Sequence, residues 1–286
     1  MAEHSSTAPG PLAQSGIVRA AIGLAQGIAL YLLFDAFQSK TWPATDGPLF
    51  AALVTACVLT PLVVVSSLSY LRLPHLVGWT LTTAVICAGL AWYSVTRDPV
   101  GVSDTPRNLP SWELGFSLAF GLFITHCLVV AGCIDRRFIA RYPTYFDVSW
   151  KYGVQAVLAA LFTLVLWLLL LLGAELFKLI KITLFSQIIQ KAWFWIPVTT
   201  LSVTYALHTT DVRVGIVRGV RSLSCNLLSW LLPLMALIGA GFVVSLPFTG
   251  LEPLWSTRRA SSILLAAAAS LIFLINSAYQ DGTRAE

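Results

Sequence analysis

Eight runs of about twenty apolar residues dominate this chain, and a helix of that length matches the ~30 Å hydrocarbon core of a bilayer. They cover 17–37, 49–71, 76–96, 113–134, 152–174, 192–208, 223–246 and 257–279. The longest segments between them, 135–151 and 175–191, have 17 residues each, well short of the ~40 that a self-standing soluble domain needs. The spacing predicts an all-α polytopic integral membrane protein of about eight transmembrane helices with no soluble domain. Any functional site is then built from helix ends and short loops. Charge agrees: only 11% of residues are charged, against roughly 25% in soluble domains.

The organisation follows from these runs. Residues 1–16 read as a disordered cytoplasmic tail and 17–134 as a first four-helix half. Residues 135–151 form a basic cytoplasmic loop, and 152–282 a second four-helix half. Within that half, residues 184–191 alternate as a short amphipathic helix suited to the membrane interface. Glu3 and the lack of any basic residue before Arg19 argue against a cleaved signal peptide. The first span is therefore expected to be retained, with Arg19 snorkelling to the interface.

Orientation rests on Lys and Arg placement. With the N-terminus inside, ten of the 18 basic residues face the cytoplasm, including the two Arg-rich segments 135–151 and 209–222. Both termini are expected on the cytoplasmic side of a bacterial inner membrane. The net charge of +5 is explained by this loop bias, so no nucleic-acid partner is expected. The partners expected are membrane lipids, anionic on the cytoplasmic face, and a possible membrane-protein partner.

Chemistry-bearing patterns are sparse. Every Asp, Glu, Lys and Arg lies in a loop or within about a turn of a span end, which counts against a proton- or sodium-coupled transporter. His126 is the one ionisable group at depth, and is expected to be neutral and bonded to a neighbouring helix. The cysteines Cys57, Cys87, Cys127, Cys133 and Cys225 have no C-x-x-C spacing and read as small apolar residues. No phosphate-cradling glycine loop, H-E-x-x-H or G-x-S-x-G motif occurs. No catalytic residue, metal or cofactor is assigned. In the sixth span, Pro197 should free the carbonyl one turn earlier, which the nearby Thr and Ser hydroxyls can satisfy. Gly23 and Gly27, and the run Ala266–Ala269, suit close helix packing.

Two candidate sites emerge. On the outer face, Glu252, Trp255, Arg258 and Arg259 follow a connection stiffened by Pro247 and Pro253, offering an anion or partner site with an aromatic wall. On the cytoplasmic face, His208, Arg213, Arg218, Arg221, Asn226 and Asn276 could form a lipid-contact surface or polar vestibule.

Three segments in the second half point to a family. They are Leu176-Phe177-Lys178-Leu179-Ile180, Pro247-Phe248-Thr249-Gly250-Leu251-Glu252-Pro253-Leu254-Trp255-Ser256-Thr257-Arg258 and Asn276-Ser277-Ala278-Tyr279-Gln280-Asp281-Gly282. Over about 151–282 the chain resembles the bacterial inner-membrane proteins of domain of unknown function family 4153. The resemblance implies a polytopic inner-membrane protein and assigns no activity. Members of that family continue with further spans, so a short member or a fragment is expected here. The function expected from the whole sequence is non-enzymatic: handling of a lipid or small solute, or regulation of an envelope partner. The alternatives are an interfacial enzyme acting on a lipid-linked substrate and a structural subunit of a membrane complex.

Overall fold

The structure, a computed structural model, describes residues 11–97, 108–179, 184–212, 214–250, 252 and 260–279. Among them every regular element is helical: α1 (Pro11–Ser39), α2 (Gly47–Ser67), α3 (Leu73–Arg97), α4 (Trp112–Asp135), α5 (Tyr142–Leu179), α6 (Leu184–Ile189), α7 (Ala192–Val212), α8 (Val214–Ser229), α9 (Leu232–Thr249) and α10 (Ala260–Tyr279). Among the described residues seven helices are long and apolar enough to cross a membrane. The chain is an all-α polytopic membrane protein.

Helix α7 is also long enough, with 21 residues, but its Thr and Ser content leaves it less apolar than those seven. Its place in the bundle is set by α1. The two run antiparallel: Phe34 meets Trp195 edge-on, Gly27 lies on Pro197 and Thr200, Gly23 lies on Thr204, and Arg19 pairs with Asp211. A Cβ at Gly23 would stand 2.1 Å from Thr204 Oγ1, and one at Gly27 2.6 Å from Pro197 Cα. The expected packing role of these two glycines is observed. The Ala266–Ala269 run is different, because it is largely exposed on α10.

Helix boundaries follow local chemistry. Asp46 caps α2 by accepting from the Leu49 N–H at 3.2 Å, with Pro48 in the first turn where no N–H is needed. Ser111 caps α4 in the same way, accepting from the Leu114 N–H. Inside α2, Pro61 has no N–H for the Cys57 carbonyl. The buried Gln26 of α1 supplies the replacement, its amide donating to the carbonyls of Cys57 and Val58 at 3.1 Å each. Pro197 in α7 should by the same rule free the Trp193 carbonyl. The hydroxyls that bond back along this helix instead reach Trp195 (from Thr199) and Ile196 and Pro197 (from Thr200).

Several boundaries differ from those read in the sequence. Helix α1 starts at Pro11, so residues 11–16, expected in the disordered tail, are helical. Helix α5 starts at Tyr142, so ten residues expected in the basic loop are helical. The seventh span does not begin at 223: those residues belong to α8, which ends at a turn through Trp230 before α9 starts at Leu232. Helix α6 lies within the expected interfacial segment, with Gln187, Gln190 and Lys191 exposed, but Ser186 is buried alongside Ile189.

Candidate functional site

At one end of the bundle lie the start of α1, the α2–α3 turn, the α4–α5 loop and the end of α7. The α4–α5 loop is a built structure. Helix α4 stops at Arg136, which adopts the left-handed conformation (φ 52°). The Arg137 N–H then returns to the Gly132 carbonyl at 3.0 Å. A Cβ at Gly132 would sit 2.9 Å from the Arg137 carbonyl oxygen, so glycine is what lets the loop fold back this tightly. Asp135 holds the other side, accepting from the Arg141 N–H at 2.7 Å and from the Thr144 hydroxyl at 3.0 Å. The Tyr145 hydroxyl accepts from the Ala140 N–H.

This loop faces the start of α3 across a groove of about 990 Å³. Arg136 and Arg137 stand on one rim, Arg72 and His75 on the other, and Leu128, Val129 and Ile134 of α4 line the apolar part. Among the described residues no acid lines the groove. Asp135, the carboxylate next to it in sequence, is already engaged by Arg141 and Thr144. At the lip, Phe138 is 100% exposed and Ile139 is largely so. Apolar side chains beside an arginine pair suit a membrane interface, where the rings enter the headgroup layer and the guanidinium groups meet phosphates.

Tyr70 links the groove to a buried ion cluster. The Asp211 carboxylate accepts from Arg19 at 2.6 Å, from Ser69 at 2.7 Å and from Lys151 at 2.6 Å. Lys151 also donates to the Tyr70 hydroxyl and lies 3.8 Å from that ring's centroid. Asp211 lies three residues beyond the expected end of the sixth span. Burial alone would raise its pKa, but the hydrogen bonds from Lys151, Ser69 and Arg19 hold it well below the usual carboxylate range. The cluster ties α1, α5 and α7 to the α2–α3 turn and carries two cations for one anion. Arg19, expected to snorkel, is only 2% exposed: Asp211 meets it inside the bundle, so it has no need to reach water.

The sequence-predicted residues separate. His208 of α7 packs against the start of α1 beside this cluster, its ring 2.8 Å from where a Gly16 Cβ would be, and its Nδ1 has no hydrogen-bond partner among the described residues. Asn276, near the end of α10, accepts from the Tyr142 hydroxyl at 3.0 Å. No described contact joins His208 to Asn276. Arg213 and the side chains of Arg218, Arg221 and Asn226 lie outside the described residues. On the expected outer site Glu252 is exposed, while Trp255, Arg258 and Arg259 lie outside the described residues. Among the described residues no three His, Cys, Asp or Glu side chains converge as a metal site, and the cysteines form no disulfide. Sequence reasoning counted Arg72, Arg136, Arg137 and Lys151 only as loop charge; their density at one end was the available signal.

The fold defines a class, the polytopic all-α membrane proteins. Comparisons with protein-family models, with curated proteins and with solved structures each return no match.

Proposed function

We propose that this protein is a non-enzymatic membrane protein that handles an anionic phospholipid, taking the phosphate between the arginines of the α3/α4 groove. The observation that carries the reading is the groove itself: Arg72, Arg136 and Arg137 on its rims, no lining acid among the described residues, and an apolar floor along α4. Arginine suits the task because its planar fork pairs two phosphate oxygens at once. Phe138 and Ile139 fit a groove mouth set at headgroup depth. The reading places the groove at the cytoplasmic face of a bacterial inner membrane, in keeping with the positive-inside bias and with the resemblance to family 4153.

The test is retention of phosphatidylglycerol against phosphatidylcholine by the purified full chain, read by native mass spectrometry. Each basic residue near an anionic surface contributes ~1 kcal/mol. The triple variant Arg72→Glu, Arg136→Glu, Arg137→Glu should therefore lose on the order of 100-fold in phosphatidylglycerol affinity. Equal retention of both lipids, or an unchanged triple variant, refutes the reading. A reporter active only after export, fused at Thr144, should be silent; activity there would reverse the orientation.

A further inference from the structure

We infer that the half-open space between α2, α4, α5 and α7 is a binding site for an apolar, membrane-dissolved molecule held through a carbonyl oxygen. The cavity measures about 360 Å³, within the roughly 300–1,000 Å³ of small-molecule sites. It exists because the facing positions are small: Ala156, Ala159 and Ala160 follow one face of α5, and Ala119 of α4 stands opposite. Leucines there would fill it.

A polar group on its wall is incompletely bonded. His126 is 6% exposed. Its Nδ1 accepts from the Trp79 indole N–H at 3.2 Å. An indole can only donate, so Nδ1 is unprotonated and the neutral ring carries its proton on Nε2. Nε2 has no partner. Gln155 is 3% exposed and lines the same space. The two belong to one wall: the His126 ring meets Tyr152 edge-on at 4.7 Å, and Gln155 follows Tyr152 by three residues, on the same helix face. The Tyr152 hydroxyl is already used, donating to the Ser66 carbonyl.

A buried donor without an acceptor, as at His126 Nε2, is rare in folded proteins and asks for a partner. The wall supplies an imidazole N–H donor and, beside it, an amide that can donate as well as accept, in a site that no charged side chain among the described residues lines. A neutral ligand with an accepting oxygen and an apolar body answers that description. A quinone ring and a lipid ester share this chemistry. The cavity has no lining residue in common with the basic groove, so this inference stands apart from the lipid-headgroup reading.

The test uses the full chain in detergent with two radiolabelled probes, a decyl-tailed benzoquinone and a fatty-acid methyl ester. One probe should bind saturably at one per chain, and which one binds identifies the source of the carbonyl. Gln155→Leu and His126→Leu should each weaken binding tenfold or more. Ala159→Phe should abolish it while the melting temperature holds or rises, because the ring fills the space. Gln155→Leu keeps the test decisive where Ala159→Phe does not fold, since it removes the amide at nearly constant volume. Absence of saturable binding of both probes to the wild type overturns the inference, and so does wild-type affinity in folded Ala159→Phe or Gln155→Leu. Water alone in the cavity is the first of these outcomes.

Discussion

Removing the Asp211 carboxylate is the sharpest test of the ion cluster. In Asp211→Leu, Arg19 keeps its charge with its side chain only 2% exposed, whereas Lys151, at 18%, can turn toward water. Breaking a buried pair from one side costs about 3–5 kcal/mol, most of it the stranded charge. For a chain of this size about 1 kcal/mol shifts Tm by roughly 2–4 °C, so the expected fall is on the order of 6–20 °C. Arg19→Leu should cost less, because Asp211 keeps Lys151 and Ser69 as partners. The double variant Arg19→Leu, Asp211→Leu strands neither member of the pair, and apolar replacement of a buried ion pair is often neutral. It should recover to within about 1 kcal/mol of wild type. Thermal unfolding in detergent, followed by tryptophan fluorescence, supplies all four corners of the cycle. If Asp211→Leu melts within 2 °C of wild type, or if the two single losses simply add in the double variant, the cluster does not hold α1 to α7 as described here.

Three further outcomes follow from the same packing. Gly23→Val should cost about 1–3 kcal/mol by overpacking, measured by the same melts, since even a Cβ would stand 2.1 Å from Thr204 Oγ1; Gly78→Val on α3, where nothing lies within 4 Å, should be nearly neutral. Gln26→Leu should cost about 1–2 kcal/mol through the unmet Cys57 carbonyl, and Pro61→Ala in that background should recover part of it by restoring the backbone N–H. The depressed Asp211 pKa makes its contribution fully present above the unfolded value of about 3.9 and lost as pH falls through the folded value. The Tm gap between wild type and Asp211→Asn should accordingly be constant from pH 8 to 5 and narrow below about pH 4.

The spans were legible because a twenty-residue apolar run has one stable solution in a bilayer, and Gly23 with Gly27 signalled close packing through their spacing of one turn. Helix α5 was read ten residues short because Tyr142–Lys151 is amphipathic, and length in hydrocarbon says nothing of helix that continues into the headgroup layer. The Arg19–Asp211 pair was not legible. Each residue sits alone near a span end, where an isolated charge reads as an anchor, and 192 positions separate them. Gln26 was passed over for a related reason. A single polar residue in an apolar run acquires meaning only when the partner's Pro61, 35 positions on, is known to lie beside it. The α3/α4 groove needed the fold as well, since Arg72 and Arg136 come to line one groove only when the bundle is assembled.

The antiparallel match of α1 with α7 also dictates an order of events at the ribosome. Helix α2 packs chiefly on α3, its neighbour in the chain, whereas α1 packs chiefly on α7. Synthesis at about 5–20 residues per second puts roughly 10–40 s between the emergence of Arg19 and that of Asp211, which are 192 residues apart. Through that interval the nascent α1 presents its glycine face and an unpaired guanidinium to lipid or to the insertion machinery. A nascent chain halted before residue 192 keeps α1 without the α7 partner that covers its glycine face.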